Sequence, residues 1–134
     1  MSRPQKSRKI CIPPKMHGFK PFGIAVFDNE PIVMTFDEYE SIKLINYENM
    51  PQDEAADKMQ VSRPTITRIY NGALKKIAQA FVEGKSILIA GGNFELEKEW
   101  YKCKNCYKLI EGLENHTKCE GCKRFGREEL IKIS

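Results

Sequence analysis

QDEAADKMQVSRPTITRIYN, residues Gln52 to Asn71, has the spacing that two helices crossing at a tight turn require. Ala56 is small where the helices must approach, Val61 plugs the turn, and Ile66 and Ile69 bring the second helix onto the same core. Ser62 can cap that helix by accepting a bond from a first-turn N–H, and Pro64 falls in the first turn, where a missing N–H costs nothing. Two residues depart from the usual pattern. Gln60 stands where glycine is common, and a left-handed conformation there costs a residue with a Cβ about 1 kcal/mol. Pro51 stands where a capping Ser or Thr is expected.

If the second helix lies in a major groove, the side chains facing away from Ile66 and Ile69 reach DNA: Ser62, Arg63, Pro64, Thr67, Arg68 and Asn71. Arg63 or Arg68 can pair with the two acceptors on a guanine edge, Asn71 can read adenine, and Thr67 can touch phosphate or a thymine methyl. From Ser62 to Val82 the chain carries Arg63, Arg68, Lys75 and Lys76 and no acid, and Lys75 and Lys76 are assigned to the phosphate backbone.

Working outward, Thr35 and Glu38 match a capping box, and Phe36, Tyr39, Ile42 and Ile45, widened by Leu44, form one apolar face. A first helix is expected from about Phe36 to Tyr47, a second over Gln52 to Met59, and a third from Ser62 to Val82 with Gly84 as its stop. Ser86 to Ala90 reads as a strand, Gly91-Gly92-Asn93 as a turn, and Phe94 to Leu96 as a return strand, together a short β-hairpin. Before the first helix, Pro4, Pro13, Pro14, Pro21 and Pro31 with Gly18 and Gly23 imply extended chain, with short strands near Ile24 to Phe27 and Ile32 to Met34. The strip Ala73, Ile77, Ala80 and Phe81 exceeds what a minimal helix pair needs; it packs on the hairpin or forms a homodimer.

The 134 residues suffice for one ordinary domain, or one of about 90 residues with a small appended module. The net charge of +4 is unevenly spread: residues 1–20 carry +6, residues 21–51 carry −5, residues 52–92 carry +2 and residues 93–134 carry +1. A basic arm containing Arg3, Lys6, Arg8 and Lys9 suits a polyanion, tracking phosphates or entering a minor groove; the alternative is a plain solvated terminus. No apolar run is long enough to span a bilayer, and the first ten residues lack a signal-peptide core, so a cytoplasmic protein with no membrane partner is expected.

The stretches RPQKSRKICIPP, FKPFGI, and the long run from Met34 to Phe94 occur together and in order. Over residues 3 to about 94 the chain resembles the domain of unknown function 134 family, small prokaryotic proteins predicted to bind DNA through a helix-turn-helix similar to region 4 of sigma factors. The resemblance implies a transcriptional regulator whose reading helix falls on Ser62 to Asn71. It supplies no target and no effector.

The remaining signal is Cys103-x-x-Cys106, twelve intervening residues, then Cys119-x-x-Cys122. Two such pairs supply four thiolates to one tetrahedral ion, so one structural zinc is expected; iron and a redox dithiol remain as alternatives. A segment of some 35 residues needs such a staple, with Trp100, Tyr101 and Phe125 as its small core. Four thiolates close the site and no His-Glu-x-x-His pattern accompanies them, which argues against an enzyme. Cys11, between Ile10 and Ile12, reads as a small buried hydrophobe. The expected architecture is therefore mainly α: a helix-turn-helix domain over residues 1–96 with an extended N-terminal arm and a short β-hairpin, then a zinc-ribbon-like module over residues 97–134. The expected partner is double-stranded DNA. The rival readings are an adaptor that docks on the transcription machinery and a redox- or metal-responsive sensor.

Overall fold

The structure is a computed structural model and describes residues 8–25, 30–92, 94–96, 98–103, 109–112 and 130–133. In chain order its elements are β1 (Arg8–Ile10), β2 (Gly18–Phe19), β3 (Ile32–Met34), α1 (Phe36–Ile42), a π-helical turn (Lys43–Tyr47), α2 (Gln52–Met59), α3 (Arg63–Glu83), β4 (Ile87–Ile89), β5 (Phe94–Leu96), β6 (Trp100–Cys103), β7 (Leu109–Glu111) and β8 (Leu130–Ile133).

Thr35 starts α1 through the expected capping box: Glu38 N–H donates to Thr35 Oγ1 at 3.4 Å, and Thr35 N–H donates to Glu38 Oε1 at 2.9 Å. The helix does not run regularly to Tyr47. It widens into the π turn at Lys43, which accommodates an extra residue per turn and leaves Leu44 fully buried. α2 spans the residues expected of it, and α3 ends one residue later than expected, at Glu83, with Gly84 left-handed at φ 66° as its C-cap.

Two apolar clusters hold the helices. Leu44, Ala55, Ala56, Met59 and Ile66 form the first, with Ile45, Met50 and Val61 packed against it. Burying a side chain the size of Met59 or Ile66 contributes about 1.5 to 3 kcal/mol, so this cluster fixes the crossing of α2 on α3. Met34, Ala73 and Ile89 form the second, backed by Met16, Phe36, Tyr39, Ile42 and Ile87, and join the middle of α3 to a sheet.

That sheet has the order β2-β4-β3, with β4 antiparallel to β2 and parallel to β3. The parallel pair is possible because all three helices intervene between β3 and β4. Gly18 faces Ile87 so closely that a Cβ there would lie 1.8 Å from the Ile87 carbonyl oxygen. A second sheet pairs β1 with β5 in parallel, Arg8 opposite Phe94 and Ile10 opposite Leu96. A third is antiparallel, order β7-β6-β8.

The expectation of a mainly α fold is thus overturned. Among the described residues three helices share the chain with eight strands in three sheets. The hairpin is absent as well: β4 has both edges occupied by β2 and β3, so the chain after Gly91 and Gly92 carries β5 away to β1 instead of folding it back. Of the strand expected near Ile24 to Phe27, Ile24 and Ala25 lie outside any strand and Val26 and Phe27 lie outside the described residues, whereas Ile32 to Met34 forms β3 as read. No zinc-ribbon-like module is shown: Cys106, Cys119 and Cys122 lie outside the described residues, and Cys103 is described only as the last backbone position of β6. Among the described residues no helix is long and apolar enough to cross a membrane.

Candidate nucleic-acid interface

The turn between α2 and α3 is three residues long, and each residue has a distinct task. Gln60 ends α2 in the left-handed region at φ 57°, donating its backbone N–H toward the Ala56 and Asp57 carbonyls. Val61 is half-buried on the first cluster, its N–H donated to the Ala56 carbonyl at 2.9 Å. Ser62 caps α3, its Oγ accepting from Thr65 N–H at 3.3 Å, and Pro64 sits in the first turn. Pro51 precedes α2 without a side-chain cap, as the sequence implies. Ile66 and Ile69 are buried, so α3 is rolled to one orientation and its opposite side is outward.

On that outward side Ser62, Arg63, Pro64, Arg68 and Asn71 are exposed, and Thr67 is half-buried. Thr67 Oγ1 donates to Gln52 Oε1 at 2.6 Å, tying the first turn of α2 to α3. Arg63 pairs with Asp53, both largely in solvent. Such an exposed pair contributes at most about 1 kcal/mol and gives way readily to a better acceptor. Tyr70 donates to Asn46 Oδ1 at 2.5 Å, bracing α3 against the π turn. Sequence reasoning missed Gln52, Asp53 and Asn46 as positioners; their partners lie 10 to 24 residues away, beyond any helical spacing.

Lys75 and Lys76 separate. Lys75 is exposed, whereas Lys76 is drawn back to Glu38 of α1, Nζ to Oε1 at 2.6 Å. Arg8 is also displaced from its expected place in a solvated arm. It is a buried residue of β1, with Nε 3.9 Å from the Asp37 carboxylate, while the adjacent Lys9 pairs with Glu95 of β5. Arg3 and Lys6 lie outside the described residues. Cys11 is half-buried and donates its backbone N–H to Glu40 Oε2 at 3.1 Å.

Among the described residues Glu40 is the most enclosed carboxylate, at 1% exposure. Burial pushes its pKa up, against the opposing pull of Lys43, whose Nζ lies 2.6 Å from Oε1, and of the Cys11 N–H. The α1 face toward the protein thus carries Asp37, Glu38 and Glu40, and the α3 face toward solvent carries bases. This arrangement leaves a helix N-terminus, two arginines, an amide and hydroxyls facing solvent.

The family described as "Protein of unknown function DUF134" matches residues 1–97. The chain belongs to this family. Its relatives carry the name "UPF0251 protein": one in Halothermothrix orenii is 42% identical over 111 residues, covering 83% of this chain and 82% of its own length. Others in Desulforudis audaxviator and Chloroherpeton thalassium are 35% and 37% identical, covering 98% and 97% of this chain and 86% and 87% of their own lengths. The family match stops at residue 97, close to the expected limit near residue 94, and these two relatives match across the cysteine-bearing segment as well. No solved structure matches the chain.

Proposed function

We propose that this chain binds double-stranded DNA sequence-selectively, with α3 as the reading helix of a helix-turn-helix similar to region 4 of sigma factors, and that it acts in the cytoplasm as a transcriptional regulator. The observation that carries the reading is the orientation of α3. Ile66 and Ile69 are buried against the body of the protein, and Arg63, Pro64, Arg68 and Asn71 stand in solvent on the other side. Arg68 and Asn71 fall one turn apart and suit guanine and adenine edges. Arg63 exchanges Asp53 for a base or phosphate, and Lys75 neutralises a phosphate. Lys76 serves α1 in the free protein. This reading makes the chain a binding protein, not an enzyme.

Selection of fragments from a random duplex pool by the purified protein tests it. We expect a recurrent motif that is lost when Arg63 and Arg68 are replaced by Ala, each guanine contact being worth about 1 to 3 kcal/mol of discrimination. Retention with an unchanged motif would sink the base-reading assignment.

We further infer that Cys103, Cys106, Cys119 and Cys122 hold one structural zinc. The donor set is the support: four soft thiolates in two pairs suit tetrahedral zinc, and Cys103 ends the central strand of the third sheet opposite Leu130, the first residue of β8. Metal analysis of the full chain should give one zinc per protein, released on thiol modification; a preparation rich in iron or in no metal at all is the contrary result.

A further inference from the structure

The two halves of α3 differ in what they expose. Beyond Asn71, Ala73 and Ala80 are buried, yet Leu74, Ile77 and Phe81 recur at three- and four-residue spacing on one exposed side, Phe81 at 87% exposure. No charged residue occurs from Ile77 to Val82. The apolar surface continues past the helix end: a Cβ on Gly84 would lie 3.0 Å from Ile24 Cδ1, and two residues before Ile24 stands Phe22, fully exposed.

Leu74, Ile77, Phe81 and Ile24 together offer on the order of 400 Å² of apolar surface, within the range of the largest patch on a monomer. A stable interface buries about 800 Å² per partner, with a polar rim around a charge-poor, aromatic centre. The patch supplies such a centre, and two like copies meet there without like charges facing each other.

We propose that this face joins two copies of the chain, α3 packing antiparallel on α3 about a two-fold axis, with Phe81 of each copy against Leu74 and Ile77 of the other. A two-fold makes the surface self-complementary, so one stripe serves both sides. A second observation, which rests on α3 being the base-reading helix, agrees with the first. The centre of the stripe lies 11 residues from the centre of Ser62–Asn71. At 1.5 Å per residue, antiparallel α3 helices place their reading segments about 33 Å apart. Successive major-groove faces on one side of a duplex repeat at about 34 to 36 Å.

Light scattering on the full chain at tens of micromolar tests the interface. The wild type should give about twice the 15.5 kDa of one chain and a melting temperature that rises with concentration, and Phe81→Glu should give a single chain with unchanged circular dichroism and a melting temperature independent of concentration. Leu74→Lys is the second variant and should do the same. A monomeric wild type overturns the proposal, and so does a folded Phe81→Glu that remains a dimer. Duplex selection separates this from the functional reading: wild type should return half-sites one turn apart, and Phe81→Glu a single half-site bound at least tenfold more weakly. Loss of the dimer with no selective DNA binding by either protein leaves the interface standing and defeats the DNA reading; selective binding by a monomeric wild type does the reverse.

Discussion

Helices α1 and α3 carry charge in opposite ways. α1 turns Asp37, Glu38 and Glu40 inward and meets each with a cation: Arg8 from β1, Lys76 from α3 and Lys43 from the π turn. α3 leaves Arg63, Arg68 and Lys75 outward. The acidic block at residues 21–51 is therefore less visible from outside than its charge of −5 implies, because three of its six carboxylates are spent internally. The basic block before it loses Arg8 to the same buried pairing, and Lys9 to a surface pair with Glu95. Among the described residues these pairs remove cations and acids in equal number, so the balance of charge is unchanged and only its placement shifts, leaving Arg63, Arg68 and Lys75 of α3 on the surface.

The most severe way to break this contrast is to remove a cation from the buried side. Arg8→Met should lower the unfolding free energy by about 3 kcal/mol in urea titrations, since it strands the Asp37 carboxylate, and Asp37→Asn in the same chain should recover at least half of the loss. A loss below about 0.5 kcal/mol would show that Asp37 is solvated.

The adjacent lysines of α3 give a sharper and smaller test. Lys76→Met should cost about 1 kcal/mol through Glu38. Lys75→Met should leave stability within about 0.5 kcal/mol, and instead reduce the slope of log DNA affinity against log salt by about 1. Equal effects of the two substitutions on stability would remove the distinction between them.

Gln60→Gly, at the turn between α2 and α3, should raise stability by about 0.5 kcal/mol, the relief of a left-handed glutamine less the added freedom of the unfolded chain. The smallest effect is at Glu40. Its raised pKa means that the folded state binds the proton more tightly than the unfolded state, so the associated stability is full below the unfolded pKa and lost as pH rises through the folded one. The melting-temperature advantage of wild type over Glu40→Gln should accordingly shrink from pH 4 upward through the carboxylate range; a widening gap would mean that Lys43 and the Cys11 N–H outweigh burial.

Local features were legible and distant ones were not. The capping box at Thr35, the limits of α2, the Ser62 cap and the Gly84 stop all depend on residues within one helical turn of each other. The left-handed Gln60 was legible for the same reason, since only the turn geometry was needed. The β1–β5 and β3–β4 pairings join residues 86 and 55 positions apart, in strands of three residues too short for alternation to register. On α1 the apolar stripe Phe36, Tyr39 and Ile42 is only half-buried, because neighbouring elements bring cations to its other side and enclose the acids there. Of the candidate interface, the α3 residues followed from one helix's periodicity. Arg8 and Lys76 did not, because their partners are set by tertiary contact.

The parallel pairing of β1 with β5 has a consequence for synthesis. The α2–α3 corner closes over a span of about 20 residues and is complete in sequence at Asn71, whereas β1 has no strand partner until Leu96 has left the ribosome. At 5 to 20 residues per second, roughly 1 to 5 s separate the two events. During that interval the helical corner is free to dock while β1 waits as an open strand edge, so a slowed or truncated translation product is where this protein is most exposed to misassembly with its own copies.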